Sequence, residues 1–427
     1  MPTFDAAHRV LVDAIAARLF PAAAIEVGTS ERVLDRQAFG RLTFAEDSAR
    51  TEIHTPFDLA SLTKAIATTT AVMQLVGQGT VRLDDPVASF FEDWRGEDRQ
   101  AVTIADLLEH ASGLAARLVD PPGSGRREFE HDICTMRLEY APRTRSIYSD
   151  LGFILLGFVV GDRGARRASS PLEPGPLEAM SLDSISLEPG APESTNVRVE
   201  ADTTGTARTS IPPEESMQPE SASPDTVALD PVNLESVSLE SVVAGFPPPL
   251  GGSRADDLLT FKLPPDAAGR AAPTVPMEDD SRRGRVLAGE VHDNYAAALS
   301  GTAGHAGLFG TAPAVGAFAQ TMLRAARGDV DEPSTLNPAV VARFLTASSV
   351  PGSSRALGWD TMLPTSSCGT RMSRSAFGHV GFTGTSLWID PVRDRYFVLL
   401  TNRACGGGTL DQMRDVRRAF HDALGDA

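Results

Sequence analysis

The chain has 427 residues, 42% of them hydrophobic, with 39 basic against 56 acidic residues and a formal charge of −17. That length suffices for one large domain or two ordinary ones with ample core, and a negative balance with no basic stripe excludes a nucleic-acid binder. No run approaches the roughly 18 apolar residues of a membrane-spanning helix.

Cys134, Cys368 and Cys405 are too few and too widely spaced for a disulfide framework or a metal-ligand pattern. Residues 1–20 lack the uncharged core of a signal peptide, so reduced thiols and a cytoplasmic location are expected. No pattern in the chain reports its oligomeric state. The acidity is local: residues 168–251 hold 14 acidic residues and two arginines.

In chain order, apolar residues at mixed steps of three and four over 4–19 predict an amphipathic helix ended by Pro21. AAAIEVG (22–28) and RVLDRQAFG (32–40) then read as a β-hairpin. Next, FDLASLTKAIATTTAVMQLVGQG (57–79) runs from an extended segment into an apolar helix closed by Gly77 and Gly79. Ser61 and Lys64, three apart, share one helical face. A serine hydroxyl needs a base to become a nucleophile, and a neutral lysine amine can serve. The bland alternative is a capping serine with a surface lysine one turn on. Among 39 basic residues only Lys64 and Lys262 are lysines, and arginine cannot act as a base at working pH.

VTIADLLEHASGLAAR (102–117) predicts a short helix capped by Thr103 and stopped by Ser112-Gly113. His110 near its end reads as a capping or structural residue, with a base as the alternative. Tyr148-Ser149-Asp150 stands at the start of an apolar helix, where a lysine ammonium and the helix dipole would favour an ionised tyrosine. A packed aromatic and an N-capping aspartate are the competing readings.

From 164 to 250 Pro, Ser, Glu and Gly dominate, and an acidic residue recurs every five positions. That period fits neither helix nor strand. A disordered acidic loop is expected, with a few coils of a pentapeptide-type solenoid as the alternative. Folded-looking sequence resumes with a Gly-rich loop (301–310) and a helix from about Ala312. His292, Asp293 and His305 lack the spacing of a zinc site, so no metal is expected. The C-terminal segments 376–391 and 394–402 read as strands, with Gly378, Gly381 and Gly384 suggesting close approach of backbone to a ligand. A final amphipathic helix covers about 409–424.

Taken together, Ser61-x-x-Lys64, Tyr148-Ser149-Asp150 and His379-Val380-Gly381 resemble the three motifs of penicillin-recognising serine enzymes. FDLASLTK, LLEHASGL, YSDLGFILLG, AGHAGLF and GFTGTSLWIDP resemble the class C β-lactamase-related group, which also holds family VIII esterases and D-alanyl-D-alanine carboxypeptidase-like proteins. The resemblance covers everything but the acidic segment. It implies an α/β (α+β) fold of the β-lactamase/transpeptidase type, with a mostly antiparallel sheet and a largely helical subdomain. One such domain would be assembled from 1–163 and 251–427, with 164–250 inserted.

By position, the resemblance implies Ser61 as the acylated nucleophile, Lys64 as its activator and Tyr148 as partner base. The backbone amides of Ser61 and Phe382 would form the oxyanion hole, and Asp150, His379 and Gly381 would contact substrate. Two departures stand out: Asp150 where asparagine is usual, and Val380 where the family has a hydroxyl that helps hold a substrate carboxylate. Both tilt the expectation toward neutral esters or amides. The expected function is a serine hydrolase acting on a small ester, amide or D-peptide with no cofactor. Esterase activity leads over D-amino-acid peptidase and β-lactamase activity. The alternative from another class is a non-catalytic ligand-binding protein that keeps the fold.

Overall fold

The computed structural model describes residues 4–118, 123, 125–166, 237–249, 256–329 and 336–425. Within them the strands are β1 (Ala22–Gly28), β2 (Val33–Gly40), β3 (Phe57–Asp58), β4 (Leu259–Thr260), β5 (Phe309–Gly310), β6 (Arg355–Ala356), β7 (Trp359–Thr361), β8 (Phe377–Val380), β9 (Ser386–Asp390) and β10 (Arg395–Thr401). The helices are α1 (Asp5–Ala16), α2 (Thr70–Gly77), α3 (Ile104–Leu108), α4 (Arg126–Thr135), α5 (Asp150–Arg166), α6 (Leu239–Ala244), α7 (Pro265–Ala268), α8 (Asn294–Ala298), α9 (Ala312–Ala326), α10 (Pro338–Phe344) and α11 (Leu410–Ala423).

Seven strands form an antiparallel sheet in the order β2-β1-β10-β9-β8-β7-β6, so the N-terminal hairpin joins the C-terminal strands through β1 and β10. Side chains alternate across a strand, and here both faces are covered. Tyr396, Val398 and Leu400 of β10 enter the core shared with α9 and the helical region, while Phe397 and Leu399 enter the core under α1 and α11. Each fully buried leucine or valine there contributes about 1.5–3 kcal/mol. That is why every residue of β1 is buried, including Glu26, which is paired with Arg36 and Tyr396.

Caps set several helix starts. Thr103 and Asp106 make a reciprocal box at α3, and Thr409 and Gln412 make another at α11, each worth about 1 kcal/mol. The stretch 376–391 is not one strand. It breaks at 381–385, where a tight turn separates β8 from β9.

The glycines of this stretch face protein rather than ligand. A Cβ on Gly378 would strike the Leu387 carbonyl and Trp388, one on Gly381 would strike Thr385 and the Leu59 carbonyl, and Gly384 adopts φ +107° against Thr401. Most of 164–250, with the solenoid or disorder expected there, lies outside the described residues. Its last part, 237–249, does not behave as insert. Leu239, Val242, Val243 and Phe246 are buried in the main core, and Phe246 packs edge-on against Phe318 at 4.9 Å.

Candidate active site

The site is built from the turn before Ser61. Ala60 holds a left-handed conformation, φ +47°, which costs a non-glycine residue about 1 kcal/mol and therefore needs support. Asp58 supplies it. One carboxylate oxygen accepts from the Ala60 amide at 2.8 Å and the other from the His292 amide at 2.6 Å. The Thr63 hydroxyl donates to the Ala60 carbonyl, and those of Thr383 and Thr385 donate to the carbonyls of Asp58 and Leu59. Burial, only partly offset by those two amides, lifts the Asp58 carboxyl to about 6.

The turn leaves Ser61 half-buried at the head of a helix whose first part, Lys64–Thr69, is a π-helical turn, an irregularity common at functional sites. Lys64 points inward and is fully buried. Its Nζ donates to Ser61 Oγ at 3.0 Å, Asp150 Oδ1 at 2.8 Å and the His305 carbonyl at 3.0 Å. Three acceptors use all three protons of an ammonium.

Burial alone would lower the Lys64 pKa, but Asp150, and after it Tyr148, more than offset this and raise it above its ordinary value. Lys64 is therefore held as an ammonium, and the expectation of a resident neutral amine is not met. Its charge lies 4.9 Å from the Tyr148 ring. Burial, with Asp150, raises the Tyr148 phenol above its ordinary value, and Lys64 and the Ser61 hydroxyl only partly offset this.

Asp150 is not the free negative charge that its replacement of asparagine suggests. Its second oxygen accepts from Arg117 at 3.0 Å, so two cations neutralise it. Nor does its side chain cap α5. Arg117 also donates to Asp293 at 2.9 Å and to Asn294 Oδ1 at 2.6 Å. His305 Nε2 pairs with Asp293 at 2.8 Å. Against the effect of burial, His305 and Arg117 hold Asp293 well below the usual carboxylate range. The ligand atoms of Asp150, Asp293 and His305 lie within 4.8 Å of one another, but the Arg117 guanidinium already bridges the two carboxylates.

The other motif residues occupy supporting positions. His110, at φ +56° and buried, accepts from the Ser149 amide through Nδ1 at 3.0 Å and packs on Tyr148 at 4.7 Å, so it orients the tyrosine motif. His379 lies behind Tyr148 at 6.1 Å, with Nδ1 against the Val380 carbonyl. Burial, with Arg355 and Lys64 nearby, keeps it neutral. Neither His379 nor Gly381 lines the cavity at Ser61, contrary to their expected contact with substrate.

What the third motif positions is Phe382. Arg403 donates to its carbonyl at 2.6 and 2.9 Å, and Arg417 donates to the carbonyls of Gly381 and Thr385. Burial, aided by Arg403, brings Arg417 down to about 9. Among the described residues neither the Ser61 amide nor the Phe382 amide has a hydrogen-bond partner, and both residues face one cavity of about 250 Å³. Two open donors beside a serine are what an oxyanion needs.

Met277, Asp279, Asp280, His292 and Asn294 line the same cavity. The His292 ring stacks on Phe382 at 5.4 Å, and neither ring nitrogen has a partner among the described residues. Burial, with Arg403 and Arg282 and against Asp293, lowers it to about 4. Arg117, Asp58 and Asn294 were not singled out in the sequence. Arg117 closes the motif-like LLEHASGLAAR, and Asn294 follows the histidine-aspartate pair examined for metal. Those positions were the only signals.

A family model described as β-lactamase matches residues 9–228 and 255–421. The chain belongs to the β-lactamase family. An N-acetylmuramyl-L-alanine amidase of Bacillus subtilis (strain 168) is 26% identical over 408 residues, 90% of this chain and 77% of that protein. A candidate D-alanyl-D-alanine carboxypeptidase of Escherichia coli (strain K12) is 26% identical over 414 residues, 90% of this chain and 79% of that one. Two solved structures show the same fold. EstCE1, a hydrolase with promiscuous acyltransferase activity, has TM-score 0.63 at 16% identity, covering 98% of this chain and 97% of its own. A penicillin-binding protein homologue from Caulobacter crescentus has TM-score 0.62 at 16% identity, covering 99% and 97%. The architecture is thus the β-lactamase/transpeptidase-like fold expected from the motifs. Among the described residues no helix is long and apolar enough to cross a membrane.

Proposed function

We propose that this β-lactamase-family protein is a serine hydrolase that cleaves neutral esters through an acyl-enzyme on Ser61. The observation that carries the reading is the Lys64 ammonium 3.0 Å from Ser61 Oγ, in a cavity that also holds two open backbone donors. Because Asp150 keeps Lys64 charged, the base role moves to Tyr148. Lys64 lends positive charge that partly offsets the burial of the Tyr148 phenol, and its phenolate form takes the Ser61 proton as Oγ attacks the carbonyl carbon. The oxyanion is held by the amides of Ser61 and Phe382. Tyr148 returns the proton to the departing alcohol, and water then releases the acid by the reverse route.

Preference for a neutral substrate is supported by the lining. Asp150, Asp280 and Asp293 are each paired with a cation, exposed Asp279 has no ion pair among the described residues, and the lining cation, Arg117, is bound by Asp150, Asp293 and Asn294. Val380 adds no hydroxyl. A second reading, amide cleavage in a D-amino-acid peptide, draws on the name of the Escherichia coli relative.

A fluorophosphonate probe should label Ser61, and Ser61→Ala should lose the label and at least about a thousandfold of p-nitrophenyl ester turnover. A wild type that neither labels nor turns over esters, D-peptides or cephalosporins would sink the proposal and favour a binding protein.

A further inference from the structure

Among the described residues six large apolar side chains are exposed, and three of them, Val275, Met277 and Val286, belong to one loop. The others, Val12, Val392 and Leu410, are scattered. Thr274 and Leu287 close the loop by exchanging both backbone hydrogen bonds, at 2.8 and 2.9 Å, and both of their side chains are buried. Successive side chains on extended backbone point to opposite faces. The neighbours Val275 and Val286 therefore share the outer face, and Met277, two residues beyond Val275, lies on it too. The observed exposure follows this alternation, with Thr274 and Pro276 buried.

Met277 is also part of the cavity wall at Ser61. The apolar stripe is thus continuous with the nucleophile's cavity rather than a separate patch. The loop is also held in place. The Val275 amide donates to the Ala404 carbonyl at 2.9 Å, and Arg282 grips Asp280 while donating to the carbonyls of Val291 and His292 at 2.7 and 2.9 Å.

Resting on the reading of Ser61 as an ester-cleaving nucleophile, we propose that Val275, Met277 and Val286 form an apolar lip that takes the hydrocarbon part of the substrate. Exposed apolar surface that runs into a cavity marks a ligand site. Three side chains fall far short of the roughly 800 Å² per partner that a stable protein interface buries, which favours a small substituent as occupant. Asp279, exposed on the same loop and on the cavity wall, opposes an anionic tail. The substrate class is a neutral ester with an unbranched apolar substituent.

The test uses the full chain and two ester series. One varies the acyl group of p-nitrophenyl esters from acetate to octanoate. The other varies the alcohol of acetate esters from ethanol to octanol. Fully burying a methylene is worth about a fourfold change in binding, and a half-open lip gives about twofold. Wild-type kcat/KM should therefore rise roughly 15-fold over four methylenes in one series, which also tells whether acyl or alcohol lies on the lip. Val275→Asp and Val286→Asp should flatten that rise to within about twofold, and Val286→Leu should keep it. Their melting temperatures report whether the fold survives.

A rise retained in both aspartate variants overturns the lip. So does its absence from both series in a wild type with Ser61-dependent acetate turnover. Absence of Ser61-dependent turnover of every ester overturns the proposed function instead.

Discussion

The two sides of the cavity are built on opposite rules. Around Ser61 and Lys64 polar groups are buried, paired and charge-balanced: one ammonium meets three acceptors, and one carboxylate meets two cations. Elsewhere on the lining Met277 is exposed and the His292 imidazole has no partner among the described residues. The Lys64–Asp150–Arg117 cluster, its ammonium and carboxylate fully paired, has one low-energy arrangement, which suits reacting groups that must be held to fractions of an ångström. Surface left unsatisfied is where a ligand gains most by arriving. Under the proposed function, chemistry falls to the paired cluster and selectivity to the exposed residues, which can vary without unbalancing that cluster.

The comparison can be broken first on the saturated side. Lys64→Met leaves Asp150 with Arg117 alone and removes the charge that draws Tyr148 toward ionisation. Turnover should fall about a thousandfold, and steady-state kinetics with a carboxyl-side control such as Val275→Asp would show whether the two walls differ as described.

Asp58 joins the walls through the amides of Ala60 and His292, and its carboxyl is raised from 3.8 to about 6. The native state therefore binds the proton more tightly than the unfolded chain does. The stabilisation from this group is full below about pH 4 and is lost as pH rises through about 6. Asp58→Asn should flatten that slope, worth about 3 kcal/mol, in melting temperatures recorded from pH 4 to 7. An unchanged slope would place its origin elsewhere.

The smallest effect concerns Asp150. It raises both Lys64 and Tyr148, so Asp150→Asn should move the acid limb of the kcat/KM profile to lower pH. An upward shift would contradict the charge balance drawn here.

What the sequence made legible was local or patterned. Ser61 and Lys64 meet because one helical turn brings them together, β1 and β2 read as a hairpin, and β10 announces itself by β-branched and aromatic density. The helix from Thr409 was visible from its cap and its apolar stripe. Arg117, Asp58 and Asn294 were hidden because their partners lie far along the chain: Asn294 is 177 residues from Arg117, and His292 is 234 from Asp58. The charge state of Lys64 was misread for a related reason. Lysine scarcity marked the position, but only the fold brings Asp150 against the amine. The glycines of 378–384 were read as space for a ligand because a missing Cβ carries no label for what fills the gap.

Gly164 on α5 has no room for a Cβ because the backbone of Val237 lies against it. The chain thus leaves the core and re-enters it at a single doorway, more than seventy positions apart in sequence and adjacent in space. Closing such a gap asks little of the chain, since the entropy of joining two ends grows only slowly with what lies between. The stretch spanning that doorway is a length the fold does not measure. Shortening, lengthening or exchanging it should leave Ser61-dependent turnover unchanged, provided the cut is made before Val237 and spares the helix that follows.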